Sequence, residues 1–301
     1  MQRFAADQAT YAYSADHPSI GTVAPGEVFA VESVEGWSNA FRAPEDFTPE
    51  AYHAAEATKW AVVGPVAIEG ARPGDAVAVT IHAIELTTPG ISVYGPYADD
   101  DPLAWWDDET AVAIFDCVDG MIRFDEHTSL AARPLIGCLA VAPAEGEVHA
   151  MLQGRYGGNM DCKHLVAGTT LVLPCEHQGG GMYFGDCKSL MSDAEIVGPP
   201  EVGALITASA EVRRRPASMR WPRLETPTHL LTIVAGTPCE WAARQAFREL
   251  LDWIVHDTRL ERSKAALLMG MVADTGICQI SNTDSTAYCM IPRDVLAPYT
   301  R

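Results

Sequence analysis

Asp75-Ala-Val-Ala-Val-Thr-Ile-His-Ala-Ile-Glu85 is the stretch that decides the architecture. Its apolar positions alternate, so Val77, Val79, Ile81 and Ala83 fall on one face of an extended chain, and Pro73-Gly74 supplies a turn before them. Outward from this strand, Gly or Pro interrupts the sequence every 8 to 15 residues as far as about residue 215, and the pieces between are rich in Val, Ile, Thr and aromatic residues. The pattern predicts further strands at 22–35, 61–69, 111–123, 136–142, 169–174, 182–186 and 203–213. Many short strands with few helix-length runs between them predict a mainly β fold, a β-sandwich, and argue against a parallel doubly wound sheet.

The exception is 238–272, where Ala242, Ala246, Leu250, Trp253 and Ile254 recur at helical spacing and Arg262 to Val272 is helical in composition. Strand character returns at Gly276-Ile-Cys-Gln-Ile-Ser281 and Tyr288-Cys-Met-Ile-Pro292. The expected organisation is a β-sandwich core over 1–215 carrying most site residues, with an appended smaller α+β portion over 216–301 packed on it. Residues 87–110 form an acidic stretch without periodicity, read as a long loop, in which Tyr94, Tyr97, Trp105 and Trp106 are candidates for a pocket wall or an oligomer contact.

The chain has 301 residues, 48% hydrophobic and 20% charged, enough to bury a large core. Forty acidic against 21 basic side chains give a formal charge of -19. That field repels phosphate backbones and anionic lipid headgroups, so neither nucleic acid nor membrane is an expected partner. The eight cysteines include no Cys-x-x-Cys pair, and the first residues lack an apolar secretory stretch, so free thiols and a cytoplasmic location are expected.

The most unusual segments are Gly154-Arg-Tyr-Gly-Gly-Asn-Met-Asp161 and Gly185-Asp-Cys-Lys-Ser-Leu-Met-Ser-Asp-Ala-Glu195. Gly157-Gly158 permits positive φ and close backbone approach, which lets Asn159 and Asp161 be aimed at a ligand. Asp186 follows an apolar strand, and Asp193 and Glu195 are read as starting the next. Four carboxylates gathered on adjoining loops need a cation or hydrogen-bond donors, so they read as metal ligands or acid/base groups; the bland alternative is turn residues facing water. No Gly-x-Ser-x-Gly elbow and no phosphate-binding glycine loop is present.

Several collinear segments resemble the acetamidase/formamidase family: Gly64-Pro-Val-Ala-Ile-Glu-Gly-Ala-Arg-Pro-Gly-Asp75, Pro134 to Glu147, Gly157-Gly-Asn-Met-Asp161, Gly168 to Pro174, Gly185-Asp186 and Gln279-Ile280-Ser281. The resemblance implies a β-sandwich with an appended α/β portion, a homo-oligomer, and hydrolysis of the C–N bond of small linear amides to carboxylate and ammonia, with zinc as the plausible metal. Carried over residue by residue, the matching positions are Asn159, Asp161, Lys163, Asp186, Asp193 and Glu195, with Glu32 matching an acidic position of the N-terminal strand.

The departures are chemical. The family pattern His-Gly-Gly-Asn-x-Asp begins here with Tyr156, and Gly-Asp-x-His ends here with Lys188. Gly-Asp-Gly-Glu reads Ser192-Asp-Ala-Glu195, and an N-terminal aspartate is replaced by Glu35. An ammonium at Lys188 competes with a metal for the same carboxylates, so pairing with Asp161 or Asp186 and no bound metal is one expectation. A rewired site using His149, His164 or His177 is the other.

The catalytic candidates are Glu195 or Asp161 as general base, with Lys188 and Tyr156 stabilising the oxyanion. The substrate-binding candidates are Asn159, Gly158, Lys163 and Glu35. Asp161 and Asp186 would be the ligands if a divalent metal is held. Cys162 and Cys187 are read as packing residues. The competing readings are the same scaffold turned to lyase, isomerase or cyclisation chemistry, and a binding protein without catalysis.

Overall fold

The computed structural model describes residues 1–56, 58–94 and 111–300. Tyr97, Trp105 and Trp106 lie outside the described residues. The fold is mainly β, with two large sheets and a smaller helical region.

The first sheet has nine strands in the order Gln2–Phe4, Val28–Ser33, Ala204–Arg214, Asp75–Leu86, Thr170–Pro174, Arg223–Glu225, His229–Gly236, Ser285–Pro292 and Asp274–Gln279. The second has ten strands around the antiparallel pair Leu135–Ala140 and Met182–Lys188. Phe29, Val31, Val77, Val79, Ile81 and Ile206 of one sheet and Val66, Ile68, Ile136, Leu139, Met182 and Phe184 of the other share one buried cluster. Each such side chain gives roughly 1.5–3 kcal/mol on leaving water, which holds the sandwich together.

Val77, Val79 and Ile81 are fully buried, as the alternation predicts. Ala83 is not, because the strand bulges opposite Thr207–Ala208. The extra residue, His82, shifts the inward parity, and Ile84 and Leu86 take over the core-facing positions. Ala76 and Ala78 on the reverse face are also buried, against Val172 and Met219.

Helix Cys239–Asp257 buries Ala242, Ala246, Leu250, Trp253 and Ile254, and helix Arg262–Val272 follows it. The first packs on strands His229–Gly236 and Ser285–Pro292, with Val234, Ala287, Cys289 and Ile291 in the same apolar cluster. Those strands continue the nine-stranded sheet, so residues 1–215 and 216–301 share an uninterrupted ladder of hydrogen bonds through Thr170–Pro174 and Arg223–Glu225.

Candidate active site

Strand Met182–Lys188 is buried along its whole length, yet it changes face midway. Met182, Phe184 and Cys187 belong to the sandwich core, whereas Tyr183 sits in a separate cluster with Tyr13 and Cys138. Strict alternation would send Asp186 to the core with Phe184. Instead Asp186 adopts φ 55°, a left-handed conformation rare for residues other than glycine, and it and Lys188 emerge on the opposite side from Cys187.

Asp161 (φ 47°) and Glu195 (φ 38°) are left-handed too. Such conformations cost roughly 1 to 3 kcal/mol each and persist where surrounding contacts over-determine them. Here the contact is shared: Lys188 Nζ donates to Asp161 Oδ1 at 2.6 Å and to Asp186 Oδ2 at 2.5 Å. Glu195 Oε1 and Glu201 Oε1 stand at 3.6 Å and 3.8 Å from the same nitrogen. Lys188 is 1% exposed.

Glycines make the room. A Cβ on Gly137 would lie 2.5 Å from Asp161 Oδ1 and Asp186 Oδ2 and 2.6 Å from Lys188 Nζ. One on Gly36 would overlap the Glu201 carboxyl and lie 3.0 Å from Asp186 Oδ1. Gly157 and Gly158, at φ 91° and 93°, bring their backbone against the Leu139 and Leu152 carbonyls, where no side chain fits.

Four buried carboxyls around one ammonium cannot all be ionised. Asp186 Oδ1, Glu195 Oε2 and Glu201 Oε2 are buried with no N–H or O–H donor beside them; their neighbours are other carboxyls. A shared proton is the partner that satisfies both members of each pair, Glu195 with Asp161 and Glu201 with Asp186. Burial, and then the Asp161 charge, push Glu195 well above the usual carboxylate range. Burial and Asp186 do the same to Glu201. Burial raises Asp161 as well, against the pull of Lys188. At Asp186 burial is outweighed by Lys188 and the hydrogen bonds, so its pKa lies low. Burial opposes the charge on Lys188, but the surrounding acids hold its pKa well above the ordinary lysine value.

The floor of a cavity of about 220 Å³ is formed by Asn159, Asp161, Lys188, Glu195 and Glu201, with Ser281 and Asn282 beside them. Trp37, Tyr52, Lys59, Trp60, Val93 and Met151 form its walls. Cys138 lies beneath, its thiol 3.2 Å from Asn159 Oδ1 and 3.7 Å from Asp186 Oδ2. Burial pushes that thiol well up, so it acts as a neutral donor.

The other sequence candidates are placed elsewhere. Tyr156 packs its ring against Tyr13, centroids 5.5 Å apart, and is not among the described residues lining the cavity. Lys163 turns outward to Asp193 at 2.7 Å. Asp193 therefore stands apart from the buried acids, and Glu201 is the fourth member in its place. Asp193 and Glu195 do not begin a strand; Asp193 and Ala194 form a turn that leads into Glu195, and Ala194 accepts a hydrogen bond from Ile280 and donates one to Ile277.

Glu35 accepts the backbone N–H groups of Trp37 (2.7 Å) and Asn39, which fixes the turn carrying Trp37. Glu32 pairs with Arg3 at 2.6 Å. Gly158 shapes the backbone under Asn159. Cys162 and Cys187 are core residues.

The sequence reading missed Glu201, Cys138 and the aromatic wall. The only local signal for Glu201 is an acid after Pro199-Pro200 at a strand start, and its approach to Lys188 comes from cross-strand pairing of those two residues.

Zinc does not fit the floor as it stands. The point where Asp161 and Asp186 converge holds the Lys188 nitrogen, a donor with no lone pair to offer. Among the described residues no group of three or more His, Cys, Asp or Glu is arranged to hold a metal ion. His164 packs on Tyr288 with ring centroids 4.9 Å apart, and burial lowers its pKa to about 4. His177 bonds the Pro143 carbonyl at 2.7 Å, and His149 lies edge-on to Trp60; none of the three lines the cavity.

The Acetamidase/Formamidase family matches the chain over residues 2–145 and 140–234. Among solved structures, an acetamidase from Bacillus halodurans is 23% identical over 98% of this chain and 99% of its own, with a TM-score of 0.92. A predicted acetamidase/formamidase from Thermoanaerobacter tengcongensis is 25% identical over 99% and 97%, with a TM-score of 0.91. An acetamidase from Yersinia enterocolitica is 23% identical over 98% and 92%, with a TM-score of 0.90. Comparison with curated protein sequences finds no match.

Proposed function

Because the chain belongs to the acetamidase/formamidase family, we propose that it hydrolyses the C–N bond of a linear amide to a carboxylate and ammonia, with the Lys188 ammonium taking the place of a divalent metal. The observation that carries this reading is Lys188 Nζ seated between Asp161 and Asp186 on the floor of a cavity, with Glu195 beside it. In this reading Tyr156 and Lys188 stand where the family pattern has histidines, and both imidazoles have been given up.

Lys188 stays protonated, so it is neither nucleophile nor base. Two of its N–H groups are used by Asp161 and Asp186. The third, with the Asn159 amide, is available to the substrate carbonyl oxygen and to the oxyanion that develops there.

Asp161 and Glu195 share one proton, which divides base and acid between them as in other carboxyl pairs that cannot both ionise. Asp161 takes a proton from water, whose oxygen adds to the carbonyl carbon. Glu195 gives its proton to the amide nitrogen, the C–N bond breaks, and ammonia leaves with its electron pair. Tyr156, Lys163 and Glu35 have supporting places: behind the glycine turn, on Asp193, and under Trp37.

Ammonia release from formamide, acetamide and larger primary amides, followed in a coupled assay, tests this directly. Turnover above the uncatalysed rate is expected; no ammonia from any member of the series would overturn it.

A further inference from the structure

The hydrolytic chemistry uses the cavity floor and leaves the walls unexplained. Trp37 and Tyr52 lie with ring centroids 5.6 Å apart, and Phe41 backs Trp37 at 5.4 Å. Lys59 Nζ is 4.1 Å from the Trp60 centroid, 5.3 Å from Trp37 and 5.5 Å from Tyr52. The three ring faces therefore border a common space, and the end of the long Lys59 side chain stands in it. Val93 and Met151 add apolar surface to the same wall.

We propose that the site accepts a neutral amide carrying an aromatic group, its ring lying among Trp37, Tyr52 and Trp60 with the Lys59 side chain swung aside, while its carbonyl reaches Lys188. This rests on the amide-hydrolysis reading and names its substrate class.

Three observations converge. The first is size: a cavity of about 150 Å³ already accommodates a benzene ring, and this one is about 220 Å³. The second is preorganisation. Trp37 packs against both Phe41 and Tyr52, and the Glu35 carboxylate holds its backbone N–H, so a ligand ring meets a surface already ordered.

The third is charge. With one proton shared in each carboxyl pair, the two negative charges left on the floor are met by the ammonium groups of Lys188 and, in the wall, Lys59, so the site as a whole is close to neutral and suits an uncharged amide. An aromatic group is large, flat and neutral, and its contact with the walls holds the amide at the floor.

The test is the ratio of kcat/KM for phenylacetamide to that for acetamide, in the wild type and in Trp37→Leu and Trp60→Leu. The expected ratio is about tenfold or more in the wild type, falling by about tenfold in at least one variant. Acetamide preferred over phenylacetamide, or a ratio unmoved by either substitution, would overturn the proposal. If no amide is turned over, the hydrolytic reading fails on its own account. Phenylacetamide binding by calorimetry then decides the ring site: saturable heat lost in Trp37→Leu supports it, and no binding to the wild type overturns it.

Discussion

Lys188 carries a charge where 1% of its surface meets solvent, and an ammonium survives there only because oxygens replace its hydration shell. Lys188→Met removes the charge at similar length and leaves Asp161 and Asp186 facing each other. A loss on the order of 3–5 kcal/mol is expected, read as a lower urea midpoint, together with loss of ammonia release. Glu195→Gln behaves oppositely. Since Glu195 is held in its neutral form, an amide replaces it with little change in stability, but the transferable proton is gone, and kcat should fall by about a hundredfold or more.

Glu35 gives a pH signature. Burial raises its pKa from 4.5 to about 6, against the pull of the Trp37 and Asn39 N–H groups. The folded chain thus binds the proton more tightly than the unfolded one. This contribution to stability is complete below pH 4.5 and is lost as pH rises through 6, by about 2 kcal/mol in all. Asp186, with its lowered pKa, and Lys188, with its raised one, titrate outside that window. The urea midpoint of wild type should therefore drop between pH 4.5 and 6.5 more than that of Glu35→Gln; equal slopes would contradict the assignment.

At the scale of elements, two adjacent strands make the floor. Leu135–Ala140 brings Gly137 against the charges, and Met182–Lys188 reverses its outward face at Asp186. Gly137→Ala has no space to relax into, so a lower melting temperature and at least about a tenfold loss of kcat/KM are expected. Gly270→Ala, in helix Arg262–Val272 with nothing within 4 Å of the new methyl, is the control of opposite sign and should stabilise by up to about 1 kcal/mol.

These elements also mark how far the sequence could be read. Period-two alternation located the strand at 75–85, one residue short of its observed end at Leu86, and those around it, and 3.6-residue spacing located the helix that buries Ala242 and Leu250. Neither period encodes a bulge at His82 or a left-handed Asp186, so the face of Ala83 and the route by which Asp186 and Lys188 meet were not legible. Asp161 and Lys188 were named from motifs. Glu201 and Trp37 were not, because their places depend on strand pairing and on a turn held by Glu35, contacts that no local pattern carries.

On the scale of the whole molecule, the sandwich is a rigid frame that fixes a small, strained charge cluster. The buried cluster shared by the two sheets supplies the stabilisation that offsets three left-handed residues and a desolvated ammonium. A divalent metal would have to displace the Lys188 amine from both aspartates, breaking hydrogen bonds of 2.6 Å and 2.5 Å, before it could be coordinated. Family resemblance and local chemistry point in different directions only here, and zinc content decides between them. Elemental analysis of the purified, active protein is predicted to find well under about 0.1 zinc per chain, with ammonia release undiminished by a chelator; about one tightly held zinc per chain, lost together with activity, would contradict the account.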